Sequence, residues 1–169
     1  RKLAKDNLVV IVPWKGVTVK ADTPEEIVAL YQCREVMEGL GARLCARHAT
    51  PKQVAELKEL CKEMHAIEDA TARVEVNSRF HSMIAQFSGN DRVVDYLADF
   101  RERVNRDMYL SSFNAVRTHD CDDEHDHIVD AIERHDEVAA ENAMRKHINN
   151  AFIFKRANAE LQDKKLNEV

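Results

Sequence analysis

Glycine and proline are scarce, at 4 and 3 of 169 residues, which argues against an all-β or loop-rich fold. Cysteine pairing is missing too. Cys33, Cys45, Cys61 and Cys121 form no Cys-x-x-Cys unit. Single cysteines on helical stripes act as small core residues, and a reduced, cytoplasmic setting fits them. No apolar run approaches the roughly 20 residues that span a bilayer, and no signal-peptide pattern opens the chain. An excess of positive charge is also lacking. With a formal net charge of −5, the bulk of the chain is no nucleic-acid binder by electrostatics alone. Gly-rich phosphate loops, Gly-x-Ser-x-Gly and His-Glu-x-x-His are absent from the sequence.

What is present points to helices. Hydrophobic residues make up 44%, enough for one domain with a real core. Charged residues reach 33% and mix in sign along the helical stretches, as on solvated faces. Thr23-Pro24-Glu25-Glu26 is a strong helix start: a cap, a proline at the first helical position, then acids on the positive dipole end. That helix is expected to run to about His48. Thr50-Pro51 starts a second in the same way, to about Asp69. Further helices are expected over about Ala72–Phe87, Arg92–Phe113, Asp122–Arg134 and Asp136–Leu161. Short connections imply antiparallel neighbours. The expected fold is therefore all-α, an antiparallel bundle of about six helices over residues 21–169.

Residues 1–20 differ. Arg1–Asp6 resembles the last turns of a helix, with Asn7 as its terminator. Val9–Val12 and Val17–Val19 read as two short strands around Pro13-Trp14-Lys15-Gly16, a small β-hairpin. Alone such a hairpin is marginal, so a larger unit is expected to precede it. The chain opens at Arg1 rather than Met, which fits a fragment or a processed product.

Three histidines stand out because each lies within an apolar helical pattern. His81 follows Asn77 by four residues, beside the stripe Val76, Phe80, Ile84 and Phe87. His125 heads the face carrying Ile128, Val129 and Ile132. His147 lies within a stripe read as Val138, Ala139, Ala143, Met144, Ile148 and Ala151. One such histidine alone is more often a satisfied core residue than a ligand. His125 and His147 are 22 residues apart, with a break at His135-Asp136 near the midpoint. A helical hairpin there brings the two level, which suits a metal or an anion inside a bundle. Imidazole nitrogens suit Zn, Ni, Cu and Fe, and an amide oxygen from Asn77 is a weaker ligand.

Arg34 is the other anomaly. It lies on or beside the face that carries Ile27, Leu30, Tyr31, Met37, Gly41 and Cys45, where a guanidinium needs an anionic partner. Two partners are open: Glu38, one turn on, or a carboxylate ligand held bidentately. His48, His65, His119, His127 and His135 are expected to be exposed. The acidic run Asp120–Glu124 reads as a solvated helix start. Glu124 and His127 form a single Glu-x-x-His, whereas a di-iron bundle needs two.

These residues resemble a known family. Asn77-Ser78-Arg79-Phe80-His81, Ser88-Gly89-Asn90, Glu124-His125-Asp126-His127-Ile128 with Ala131-Ile132, and Met144-Arg145-Lys146-His147-Ile148 resemble the C-terminal FCD domain of FadR-type GntR transcription regulators. Tyr31-Gln32-Cys33-Arg34-Glu35-Val36-Met37-Glu38 resembles the first-helix signature of that domain. The stretch Asn7 to Val19 is similar to the wing of the family's winged helix-turn-helix. The resemblance implies that residues 1–20 are the end of a DNA-binding domain and that residues 21–169 form an effector-binding and dimerisation domain. It implies a homodimer, a small organic acid as effector, and operator DNA as partner of the intact protein but not of this chain.

The resemblance also implies a divalent transition metal, Zn or Ni, held by His81, His125 and His147. The family's fourth ligand is Asp, and Asn77 stands there. That change should weaken metal binding and leave the pocket more positive, favouring an anionic effector. Arg34 matches the family's cavity arginine and is the expected effector-binding residue. Six helices would set the chain nearer the VanR-like branch. The expected function is metabolite-responsive transcription regulation without catalysis. The alternative is a helical metal-dependent enzyme using the same histidines.

Overall fold

Capping chemistry sets where the helices begin. In the computed structural model, which describes residues 9–12, 14, 16–19, 23–98, 100 and 118–167, Thr23 and Glu26 satisfy each other's backbone N–H groups at the start of α1 (Pro24–His48). Thr50 and Gln53 form the same reciprocal box at α2 (Pro51–Ala66). Asp69 caps α3 (Ala70–Phe87) by accepting from the Ala72 N–H. This is why α2 stops short of the expected Asp69: the carboxylate serves the following helix. Residues 91–98 form α4 behind Asn90, whose side chain accepts from Arg92 N. Phe100 is helical as well, and the expected continuation from residue 101 to Phe113 lies outside the described residues. Then come α5 (Thr118–Glu133) and α6 (Glu137–Asn167), longer than expected at their N- and C-terminal ends respectively.

The chain divides into two compact units, Arg1–Leu30 and Tyr31–Val169. In the first, β1 (Val9–Val12) and β2 (Gly16–Val19) pair antiparallel, with Val9 opposite Val19 and Val12 opposite Gly16. Trp14 and Gly16 take positive φ between them. Arg1–Asp6 and Asn7 lie outside the described residues.

The second unit is an all-α bundle. Its core is built from one face of each helix: Leu57 and Met64 on α2, Phe80 and Ile84 on α3, Ile128 and Ile132 on α5, Met144 and Ile148 on α6. Side chains of this size each contribute about 1.5–3 kcal/mol when removed from water. α5 packs on α6 and on α2, and α2 packs on α3. On α1, Gly41 faces Val93 and the backbone of Ala85, so a β-carbon there would already be in contact. The buried face of α6 is Ala140, Met144, His147 and Ile148, while Val138 is exposed. Val138 therefore leaves the stripe read from the sequence, because the register is set by positions 140, 144 and 148.

The α5–α6 turn fixes the hairpin. Asp136 N–H bonds the Ala131 carbonyl and His135 N–H bonds the Ile132 carbonyl, with His135 at φ 54. This is a Schellman end with histidine in the left-handed position that glycine usually takes. His135 Nδ1 lies 2.7 Å from the Ala46 carbonyl oxygen. Asp136 then caps α6 by accepting from Ala139 N–H.

Candidate metal centre

Three helices each deliver one imidazole to a common point. His81 of α3, His125 of α5 and His147 of α6 have a nitrogen each within 4.8 Å of the others. Ring centroids are 4.6 Å apart for His125 and His147, 5.1 Å for His81 and His147, and 5.8 Å for His81 and His125. The α5–α6 hairpin sets His125 level with His147. Phe80, wholly buried, packs against His125 at 4.6 Å and meets His81 edge-on. That apolar support restricts how the rings can turn.

Carboxylates hold the outer nitrogens of two of these rings. His81 Nδ1 lies 2.5 Å from Glu38 Oε2, and His147 Nδ1 lies 2.7 Å from Glu124 Oε2. An ionised carboxylate only accepts, so the hydrogen-bonded His147 Nδ1 carries the proton and its Nε2 presents a lone pair, while His81 Nδ1 meets Glu38 as a close ion-pair contact without hydrogen-bond geometry. The two Nε2 atoms face each other at 3.3 Å. Two lone pairs at that separation repel unless a proton or a cation lies between them. Nitrogens bound about 2.0–2.1 Å from a tetrahedral zinc are about 3.3 Å apart. The donor set and its spacing therefore fit a zinc-like divalent cation.

Behind each carboxylate stands a different partner. Arg34 Nε donates to Glu38 Oε1 at 2.8 Å, and its guanidinium lies 4.9 Å from the Tyr31 ring centre. Asn150 Nδ2 donates to Glu124 Oε1 at 2.7 Å. Arg34 and Glu38 are buried, at 4% and 6% exposure. Burial pushes the Glu38 carboxyl up, but the Arg34 guanidinium and then His81 outweigh it and hold the acid well below the usual carboxylate range. Burial likewise works against the Arg34 charge, yet the Glu38 carboxylate beside it leaves the guanidinium above its ordinary value.

Of the residues singled out in the sequence, His81, His125 and His147 are brought together. Asn77 is buried on α3, one turn before His81. Arg34 takes the nearer of its two open partners, Glu38. His48, His65, His127 and His135 are exposed, and His119 lies outside the described side chains. The acidic run at the start of α5 is not simply solvated. Asp122 is buried against Arg73 of α3, and Glu124 orients His147. Glu124 carried only a local Glu-x-x-His signal, because its real partner is 23 residues away across the hairpin. Cys121 also stands out: its sulfur groups with Glu124 and His147, all within 4.8 Å.

Comparison with known proteins gives a consistent family. Residues 29–150 match the FCD domain model. The HTH-type transcriptional repressor NanR of Escherichia coli K12 is 29% identical over 150 residues, covering 84% of this chain and 55% of that protein. The uncharacterized HTH-type transcriptional regulator YdhC of Bacillus subtilis is 22% identical over 153 residues, covering 88% of this chain and 68% of that protein. The chain thus spans about half the length of the NanR relatives it matches, 55%. Two solved structures share the fold. McbR/YncC of E. coli superposes with a TM-score of 0.82 at 15% identity, covering 93% of this chain and 81% of that one. A GntR-family transcriptional regulator from Pseudomonas syringae pv. tomato superposes with a TM-score of 0.70 at 18% identity, covering 100% of this chain and 70% of that one. Joined to a helical bundle that converges three histidines, these matches place the chain in the FCD family, the helical domain of FadR-type GntR regulators.

Proposed function

We propose that the chain is the sensing domain of a one-component, metabolite-responsive transcription regulator. His81, His125 and His147 hold a divalent transition metal, Zn or Ni, with Asn77 as a weak fourth neighbour. A cation held there supplies a positive charge on which a small carboxylate effector can be bound. The observation that carries this reading is the pair of Nε2 atoms 3.3 Å apart, each with a carboxylate close to the far side of its ring. Glu124 orients the His147 ring and fixes its tautomer, and Glu38 lies close beside the His81 ring. Arg34 neutralises Glu38, so the preference for an anionic effector over a neutral one comes from the cation held by the histidines.

In this reading residues 1–20 are the end of a winged helix-turn-helix, with the β1–β2 hairpin as its wing. The intact regulator acts in the cytoplasm as a homodimer on a two-fold symmetric operator. An effector shifts DNA affinity only if it binds the two arrangements of the domains unequally. The test has two parts. Zinc or nickel is titrated into the chelator-treated chain by calorimetry, with His147→Ala as control. The intact regulator is then titrated with small organic acids while operator binding is followed. Metal binding that survives His147→Ala removes the site. An acid that binds the domain yet leaves operator affinity unchanged removes the switch.

A further inference from the structure

His147 belongs to two donor groups. One is the three-histidine group. The other is Cys121, Glu124 and His147, whose donor atoms also lie within 4.8 Å of one another. The groups approach the ring from different nitrogens: Nε2 faces His81 at 3.3 Å, and Nδ1 faces Glu124 at 2.7 Å. Helical spacing explains the second group. Cys121 and Glu124 are three residues apart on α5, hence on one side of it. The antiparallel α6 then lays His147 across them. Cys121 and Glu124 are half-buried and His147 is buried, so the group is partly shielded yet open to a small ion. One sulfur, one carboxylate and one imidazole form a mixed set that zinc accepts. The thiolate selects against magnesium and calcium.

We infer that Cys121, Glu124 and His147 form a second, thiolate-containing site for a zinc-like divalent cation, an alternative to the three-histidine site. The inference rests on the preceding reading only in that both sites share the His147 ring. Binding balances simply. The cation enters, the Cys121 S–H proton leaves to solvent, the His147 ring proton passes from Nδ1 to Nε2, and bonds form to sulfur, Nδ1 and a Glu124 oxygen. A neutral imidazole has one lone pair to give, on Nε2 or on Nδ1. The two sites therefore compete for the ring, and loading one withdraws it from the other. A domain built this way alternates between all-nitrogen and sulfur-containing coordination.

Cobalt(II) alone, titrated into the chelator-treated 169-residue chain, reads this directly. Cobalt stands in for zinc, and a thiolate ligand adds a charge-transfer band in the near ultraviolet. The band is expected in His81→Ala, which breaks only the three-histidine site. Cys121→Ser in that background should remove the band and weaken cobalt binding by about 10- to 100-fold or more. Cys33→Ser, which changes the exposed cysteine, should leave the band intact. Circular dichroism checks folding, and His81→Gln replaces His81→Ala if the alanine variant unfolds. A His81 variant that binds cobalt without the band overturns the inference, as does a band that survives Cys121→Ser. The preceding reading fails separately: cobalt binding that is unchanged by His125→Ala and carries the thiolate band throughout would leave only the site proposed here.

Discussion

The two carboxylates that brace the centre each approach an imidazole Nδ1, one as a close ion-pair contact and one as a hydrogen bond, in different settings. Glu38 lies between an imidazole and the buried Arg34 guanidinium, and Glu124 lies between an imidazole and the Asn150 amide. Their side chains are 7% and 16% exposed. The first half of the centre is a compensated charge pair inside the bundle. The second is a hydrogen-bonded chain nearer its rim. A carboxylate at the ring therefore carries different energetic content in the two halves. Glu38 holds a buried cation in place as well as a ring, whereas Glu124 mainly holds a ring.

Removing the acids should separate these roles, and the largest effect falls on Glu38. In metal-free chain, Glu38→Ala leaves Arg34 buried without its partner and should cost about 3–5 kcal/mol in urea unfolding. Glu124→Ala leaves only neutral groups unsatisfied and should cost about 1–2 kcal/mol. Equal losses would erase the distinction. The paired change Arg34→Met with Glu38→Leu removes both charges and should recover most of the loss.

Metal addition tests what the halves share. Zinc at about 100 times its Kd should stabilise the wild-type chain by about 2.7 kcal/mol, and His147→Ala should abolish the shift in melting temperature. Glu38→Gln and Glu124→Gln should each weaken zinc binding by about 10- to 100-fold, because the ring beside each loses the negative charge that raises its basicity. A loss confined to one of the two would mean that only that half positions the metal.

Acid sharpens the contrast further. The folded-state value of Glu38 is depressed, by Arg34 and then His81 against the cost of burial. Its contribution is therefore fully present above the ordinary glutamate value of 4.5 and is lost as pH falls below it. The stability difference between wild type and the Arg34→Met, Glu38→Leu pair should move against the wild type as pH is lowered through that range. Urea unfolding at a series of pH values measures it. The smallest effect belongs to the hairpin that aligns the Glu124 half. His135→Gly relieves a left-handed backbone but gives up the contact to Ala46, so stability should change by less than about 1 kcal/mol. A larger loss, seen by thermal unfolding, would make that contact the main support of the turn.

Much of this architecture was legible in residue order. Thr23, Thr50 and Asp136 mark helix starts because capping is local chemistry, complete within four residues. The apolar spacing on α3 and α5 placed His81 and His125 on their buried faces for the same reason. Val138 was misplaced because a run of alanines around it leaves the helix register ambiguous. The acids were harder to see. Glu38 is one turn from Arg34, so that pair was open to sequence reasoning. Its second contact, to His81, crosses from α1 to α3. Asp122 and Glu124 look like ordinary acids at a helix start until α3 and α6 supply Arg73 and His147.

By itself, then, the sequence determined the helices, their caps, the hairpin at residues 134–136 and three histidines on buried faces. All of these follow from interactions within a few residues of chain. Only the tertiary structure decided that the Nε2 atoms of His81 and His147 face each other, with carboxylates from other helices beside their far nitrogens. It likewise decided that Arg34 is spent on Glu38, and that Cys121 comes to lie beside His147. Side chains far apart in the chain meet only where packed helices cross, and periodicity carries no record of those crossings.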